Sequence, residues 1–310
     1  LDIWLNNSKL DGFSLLKKIK ERNPLIPVIM ISGHGNIETA INSIKNGAFD
    51  FIEKPFDIDI LLFKVNKALE NINLKKKIEQ LSNKKIQSDF VSKSEKTIIL
   101  KNLVQKISKT ESNILLSGPA GSGKEFFARL IHQTSNRSLK PFQIINCANL
   151  DHDNFEKKLF GFEKQNGEII NGNLEELNNG TILFDQIEDL HESAQGRLIG
   201  FLEGQKFSRF GGVELIKTNV RIISSTKSDL QNMIKKNKLR EDLYFKLNAI
   251  SITIPPLSQR KEDIPHLVEL FARKFIKKNN FKKKFFSEEC ILFFQSLELS
   301  GNIRQLKKLV

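Results

Sequence analysis

Cysteine is nearly absent, with Cys147 and Cys290 the only two in 310 residues. They stand far apart, without partners at zinc or redox spacing, which excludes a disulfide framework and predicts buried free thiols in a reducing compartment. No apolar run approaches the roughly 18 residues of a membrane span, so a membrane protein of that kind is excluded. The chain opens on Leu1-Asp2-Ile3-Trp4-Leu5 with no initiator methionine and neither the basic region nor the cleavage pattern of a signal peptide. A piece of a longer cytoplasmic protein is therefore expected. Tryptophan occurs once, and Trp4 reads as a core or interface residue. Acids are the minority charge, 36 against 49 Lys and Arg, giving a net +13. The lysines are scattered among Asn and Ile, as an AT-rich coding sequence would produce, so the charge reads as diffuse rather than as a nucleic-acid patch. Neither His34, His132, His152, His191 and His266 nor the acids show metal-ligand or paired-carboxylate spacing.

What is present is the composition of an ordinary globular chain, 39% hydrophobic and 27% charged, long enough for about two or three domains. Over residues 1–69 short apolar runs alternate with amphipathic ones. The pattern predicts a strand end at Leu1–Leu5, strands Pro27–Ser32 and Phe49–Glu53, helices Gly12–Glu21 and around Glu38–Asn46, and a helix after Asp57. Such alternation implies α/β architecture with a parallel sheet. Residues 70–89 are polar and Lys-rich, with Leu69, Ile72, Ile78 and Leu81 at helical intervals, and read as a linker helix that could serve as a dimer contact. A second α/β region follows over 90–256, with a helix near Lys96–Ser108, strands Asn113–Ser117, Phe142–Asn146, Thr181–Phe184 and Val220–Ser225, and a helix from Lys124. After Pro255-Pro256 the pattern is helical only. Ile264–Lys277 and Glu288–Leu297 bracket a Lys/Phe-rich loop, which predicts a small helical subdomain over 257–310, cut short at Val310.

Gly118-Pro119-Ala120-Gly121-Ser122-Gly123-Lys124 fits GxxxxGK between an apolar strand and a helix. Glycines let the backbone N–H groups turn toward a phosphate, the helix N-terminus adds positive charge, and Lys124 reaches the outer phosphates. ATP with Mg is the expected ligand. The metal needs an acid at the end of a neighbouring strand, and Asp185 follows Thr181-Ile182-Leu183-Phe184. Two features are unusual: Glu125 stands where most such loops place Ser or Thr, and Gln186 stands where a hydrolytic ATPase carries a second carboxylate. An amide holds a water but cannot take its proton.

Several segments, in order, resemble one family: Leu115 through Glu125, Asn146-Cys147-Ala148, Leu159-Phe160-Gly161, Gly180 through Asp185, Val220-Arg221-Ile222-Ile223, Leu239 through Tyr244, Ile254-Pro255-Pro256-Leu257 and Gly301 through Leu306. They are similar to the AAA+ domain of NtrC-type bacterial response regulators, in which Glu125 is the expected residue. Asp2, Asp11-Gly12, Ile29 through Gly35 and Asp50 through Phe56 resemble the last two-thirds of a receiver domain, a flavodoxin-like parallel sheet. The resemblance implies Asp2 as phosphoacceptor, Ser32 and Lys54 as phosphoryl contacts and Phe51 as the aromatic that repacks on activation. A carboxylate at a strand end attacking phosphorus, with a cation and a hydroxyl beside it, is chemically sound. The acidic pair that binds magnesium in receivers would lie before Leu1, so this chain as given is not expected to accept phosphate. The resemblance further implies a sensor histidine kinase, a homo-oligomer (dimer or ring), and a helix-turn-helix domain beyond Val310 that contacts DNA. It assigns nucleotide sensing to Thr226 and Arg304, contacts with a neighbour's ATP to Arg240 and the position of Lys246, and the restraint of the catalytic acid to Asn146.

The departures shape the functional expectation. The GAFTGA loop that engages sigma-54 RNA polymerase is missing from Phe162–Gly172, as is common in NtrX-type members, which Gln205–Gly212 also resembles. That puts the polymerase contact in doubt. Lys246 keeps a charge but loses the planar fork of arginine, and with Gln186 this predicts weak or absent turnover. Lys227 follows the nucleotide-sensing Thr226, and Ser92 replaces a glycine usual near the adenine. The expectation is an ATP-binding regulator of transcription in which nucleotide acts mainly on conformation or oligomeric state. The alternative is a hydrolysing ATPase that remodels sigma-54 polymerase through a diverged loop.

Overall fold

A computed structural model describes residues 1–4, 11–22, 26–33, 37–71, 90, 93–148, 152–164, 168–281 and 285–310. The expected linker helix from residue 72 to 89, Ser92, and Lys282–Lys284 of the Lys/Phe-rich loop lie outside the described residues. The chain divides into two compact units, Leu1–Lys85 and Ile86–Val310.

In the first unit α1 (Gly12–Arg22), β1 (Ile29–Ser32), α2 (Ile37–Lys45), β2 (Asp50–Glu53) and a helix α3 (58–71) follow one another. β1 and β2 are parallel, Ile29 opposite Asp50 through Ser32 opposite Glu53. Leu1–Ile3 runs along the other side of β1, with Ile3 N–H donating to Ile31 O and Ile31 N–H to Leu1 O. Ile3, Leu16, Val28, Met30 and Ala48 form the core between sheet and helices. Trp4 is not part of it: its side chain is exposed.

The second unit is built on a five-stranded parallel sheet. Its elements are α4 (Glu95–Ile107), β3 (Ile114–Ser117), α5 (Lys124–Gln133), β4 (Phe142–Asn146), α6 (His152–Phe160), β5 (Phe162–Glu163), β6 (Ile169–Ile170), α7 (Asn173–Glu176), β7 (Thr181–Asp185), α8 (Glu192–Gly204), β8 (Lys206–Phe207), β9 (Ile216–Lys217), β10 (Arg221–Thr226), α9 (Leu230–Lys235), α10 (Glu241–Leu247) and β11 (Ile250–Thr253). The strand order is β11-β3-β10-β7-β4. Helices cover both faces, so β7 and β10 are almost wholly buried and, apart from Arg221 at the start of β10 and Asp185 at the end of β7, consist of apolar residues, Ser and Thr. β11 was not among the expected strands. Four residues, Ile-Ser-Ile-Thr, give too short an alternation, and its place is fixed by pairing with β3 rather than by its own pattern. Two antiparallel hairpins, β5/β6 and β8/β9, project from the sheet and are bridged to each other at Phe162 and Phe210. Arg209 joins them to α7 by a bidentate pair with Glu175 at 2.9 and 2.6 Å, both side chains nearly buried.

The lid consists of α11 (Ile264–Asn279), α12 (Glu288–Ser296) and α13 (Asn302–Leu309) around Leu257, Ile264, Val268, Phe294 and Leu306. Cys147 is buried as expected, whereas Cys290 is only half-buried, because α12 turns just Phe294 fully inward.

Candidate functional sites: a phosphoacceptor edge and a nucleotide cradle

Parallel strands end on the same side of their sheet, so residues distant in sequence meet at that edge. Asp2, Ser32 and Lys54 end three neighbouring segments of the first unit. Lys54 N–H donates to Ser32 O at 2.8 Å, and its ammonium reaches an Asp2 carboxylate oxygen at 2.5 Å. That hydrogen bond holds the Asp2 carboxyl below the usual range, so it is ionised near neutrality. Ser32 is buried at the end of β1, and Phe51 packs half-buried against the core below.

In the second unit the phosphate loop Gly118–Gly123 leaves β3 and enters α5. Gly118, Gly121 and Gly123 have φ of +149°, +73° and +103°. A Cβ on Gly118 would stand 2.5 Å from Ile254 O, and one on Gly121 would stand 2.3 Å from Gly301 O. Only glycine permits that curl. α5 begins at Gly123 with no side-chain cap, leaving its first N–H groups facing the cradle. The Lys124 ammonium is directed into the same concavity, donating to Gly118 O at 2.7 Å and Pro119 O at 3.1 Å. Burial pushes its pKa down, while Asp185 and Glu188 push the other way. A buried cation that donates to two neutral carbonyls, beside uncapped helix N–H groups, fits a polyphosphate.

Asp185 ends β7 next to the loop. Its carboxylate accepts a short hydrogen bond from Ser225 on β10, and its carbonyl accepts from Cys147 N–H. This acid fits a magnesium ion, which characteristically takes one or two carboxylates along with phosphate oxygens. Glu125 does not point to the same place, since its carboxylate pairs with Arg129 one turn along α5. Gln186 follows in the left-handed region at φ +58°, and its amide is fixed on both sides. Its oxygen accepts from Asn146 at 3.4 Å and its nitrogen donates to Asp189 at 2.8 Å. Two residues further on, Glu188 is 6% exposed: one carboxylate oxygen accepts from Lys227 N–H at 3.0 Å, and the other has no partner.

The lid closes over the loop by hydrogen bonds. Asn302 donates to Ala120 O at 2.9 Å and accepts from Leu257 N–H at 2.7 Å, Ile303 N–H donates to Gly121 O, and Arg260 donates to Ser122 O at 2.5 Å. Arg304 lies beside Gly121 and is among the cations that lower the Lys124 pKa. Beside the loop a cavity of about 230 Å³ opens between α4, α5 and the lid, walled by Phe90, Phe126, Phe127, Phe271 and Ile303. Phe90 and Phe126 stack with ring centroids 5.7 Å apart. The aromatic part of the cavity's lining, flanked by the polar Thr97, Arg129, Arg260, Asp263 and Lys274, suits a base that stacks and also makes polar contacts.

Arg240 and Lys246 are not gathered into this cradle. Arg240, just before α10, is exposed and forked onto Asp242, and Lys246 reaches Glu203 of α8 at 3.2 Å. Thr226 is buried, with its hydroxyl turned back on Ser228, accepting from its N–H at 3.0 Å and donating to its O at 3.1 Å. Sequence reading missed Ser225, Glu188, Arg260, Asp263 and Asn302, whose roles come from partners far away in the chain. Among the described residues no cluster of three or more metal-ligating side chains occurs, and no helix is long and apolar enough to cross a membrane.

Comparison with known proteins agrees with this division. Residues 1–66 match the response regulator receiver domain, 90–253 the sigma-54 interaction domain, and 258–310 an AAA+ ATPase lid domain. The nitrogen assimilation regulatory protein NtrX of Azorhizobium caulinodans is 42% identical over 99% of this chain and 68% of its own length. A putative NtrX-like response regulator of Rickettsia typhi is 41% identical over the whole chain and 66% of its own length. The chain thus spans about two-thirds of the curated relatives that it matches. The crystal structure of NtrX from Brucella abortus superimposes with a TM-score of 0.71 at 39% identity, covering 100% of this chain and 70% of that one. The same protein in complex with ATP gives 0.71 and 39% over 99% and 67%. A receiver edge with its acid, hydroxyl and lysine, and an AAA+ cradle under a helical lid, joined in one chain with relatives of this similarity, place it in the NtrX/NtrC family of two-component response regulators with a sigma-54 interaction domain.

Proposed function

We propose that the longer protein to which this chain belongs receives a phosphoryl group on Asp2 from a sensor histidine kinase, and that the chain binds ATP with Mg at the 118–124 loop as a ligand that sets conformation or oligomeric state, with little turnover. In this reading it works in the cytoplasm as a homo-oligomer and controls transcription through a DNA-binding domain outside this chain. Brucella abortus NtrX has been crystallised with ATP and with ADP, which supports nucleotide as the ligand. The cradle holds the phosphates, Asp185 and the phosphates hold the metal, and the phenylalanine-walled cavity takes the base.

The observation that carries the reading is Gln186. It stands one residue past Asp185, clamped between Asn146 and Asp189, where hydrolysis needs a group that accepts a proton from water. Loss of a general base typically costs about 10²–10⁴ in rate. Lys246, paired with Glu203, lacks the fork with which an arginine finger spans two phosphate oxygens. The test sets ATP binding beside steady-state hydrolysis for the natural full-length protein and for Gln186→Glu with Lys246→Arg. Binding in both and turnover only in the double variant is the expected result; rapid turnover by the natural protein overturns the reading.

One observation favours a second reading, a hydrolysing ATPase that remodels sigma-54 polymerase. Glu188 keeps a buried carboxylate oxygen without a partner, close enough to Lys124 to raise its pKa. If Glu188 takes the proton, Glu188→Gln abolishes turnover and the protein binds sigma-54 only with nucleotide.

A further inference from the structure

We propose that the edge of the five-stranded sheet opposite the cradle holds a second anion site, which takes a phosphate group as the free dianion or as the head of a phosphomonoester. The inference does not depend on nucleotide at the 118–124 loop.

Most of the net +13 is scattered, but three cations gather where the strands begin. β10 runs for six residues, about 17 Å, from Arg221 to Thr226. Thr226 borders the phosphate loop, its carbonyl accepting from Gly118 N–H, so Arg221 lies at the far edge. There a cavity of about 490 Å³ opens, with Glu111, Asn136, Arg137, Lys140, Asn179 and Arg221 among its lining residues.

Two of the cations are fixed. Arg221 is buried and donates to Ile107 O at 3.0 Å and Ser108 O at 2.7 Å, capping the C-terminal end of α4. Arg137, also buried, donates to Gly180 O, to Asn219 O, to the Asn219 side-chain oxygen and to Glu111. Of all these acceptors only Glu111 is charged. Its side chain is 58% exposed, so solvent screens the one acid among the described lining residues.

Lys140 is the third cation. It is half-buried, and among the described residues no hydrogen bond or ion pair holds its ammonium. Burial and the charge of Arg137 both push its pKa down. Burial does the same to Arg221, with Glu111 opposing and Arg137 adding to it. Three positive charges thus face one negative, and the excess of two matches a phosphomonoester, which carries about −1.5 to −2 at neutral pH. Partly buried cations that repel one another gain most from an anion, because walls of low dielectric leave its charge unscreened. Arg137 and Arg221, committed to their carbonyls, supply the field. Lys140 supplies the contact, as a point charge on a flexible stem. The side-chain amides of Asn136 and Asn179, exposed and without partners among the described residues, add neutral donors. The volume falls in the range of small-molecule pockets, roughly 300–1,000 Å³, which leaves room for the organic part of an ester.

The experiment titrates inorganic phosphate, and in a parallel arm glycerol 3-phosphate, into the chain by calorimetry in low-chloride buffer. Because the 118–124 loop also attracts phosphate, every titration is made in a Lys124→Ala background. One saturable site with a Kd of about 1 mM or tighter is expected. Adding Lys140→Gln is expected to weaken it at least about tenfold, the loss of a charge-assisted contact, and Lys140→Arg to keep it within about threefold. Equal melting temperatures without ligand establish that the variants fold. Tighter binding of the ester supports the site and names the ester as its ligand; equal binding supports it and names the free ion. No saturation by about 10 mM, or a site that Lys140→Gln leaves unchanged, overturns the proposal.

Discussion

Asp263 offers a quantitative test of how the lid is joined to the nucleotide domain. Its side chain is 1% exposed, yet its carboxylate accepts four hydrogen bonds. One oxygen takes Lys93 N–H at 2.8 Å and Ser94 N–H at 2.9 Å, and the other takes the hydroxyls of Thr97 at 2.6 Å and Ser94 at 3.3 Å. The anion thus covers the start of α4, where the helix dipole is positive. In Asp263→Asn the oxygen end keeps both backbone donors, and the two hydroxyls rotate to accept from the new amide. Four bonds survive without their charge. The difference between a charged and a neutral hydrogen bond is about 1 kcal/mol, so two backbone bonds and the dipole contribution give about 2–3 kcal/mol. Asp263→Ala instead leaves buried donors unmet and costs about 4 kcal/mol or more. Urea titration of the whole chain by far-UV ellipticity measures both, with an unchanged denaturant slope showing that the unfolded state is the same. An Asn variant that loses under about 0.5 kcal/mol, or as much as Ala, refutes the charge argument.

Further expectations follow from the cradle and the sheet. Gly121→Ala places a methyl against Gly301 O in a left-handed backbone, so it is expected to destabilise by about 1–3 kcal/mol and weaken nucleotide binding at least about tenfold; unaltered affinity would show that loop and lid need not touch. Burial, chiefly, pushes the His132 pKa down to about 4 from its usual 6.5. The unfolded chain then binds a proton that the folded one does not between those values, so stability falls as pH drops through that window, by about 2 kcal/mol at pH 5. His132→Gln should flatten the slope there, and an unchanged slope counts against it.

The legibility of the sites in the sequence followed how local each one is. The phosphate loop, Asp185 and Gln186 are contiguous or adjacent to a strand end, so residue type and spacing suffice. Asp2, Ser32 and Lys54 are separated in sequence, but each ends an apolar run, and parallel pairing brings such ends together. Glu188, Asp263 and Asn302 carry no such mark. An acid three residues past a strand, an acid in a short turn before a helix, or an asparagine opening a helix, reads as surface until a partner more than thirty residues away buries it. The strand β11 was hidden for the same reason, since its identity comes from β3. Thr226 shows the reverse case: its type suits phosphate, but Ser228, two residues on, consumes its hydroxyl.

The hydrogen bonds from Asn302 and Ile303 to the carbonyls of Ala120 and Gly121 have a mechanical consequence. They fix the root of α13 on the segment that a phosphate would displace, so the lid is an arm whose pivot is the cradle itself. α11, with 16 residues, is about 24 Å long. A tilt of about 5° at the pivot carries the far end of such an arm through about 2 Å, enough to break or make a packed contact with a neighbouring molecule. If nucleotide occupies the cradle, as proposed, a small adjustment around its phosphate would be amplified into a displacement of that size at the far end of the lid.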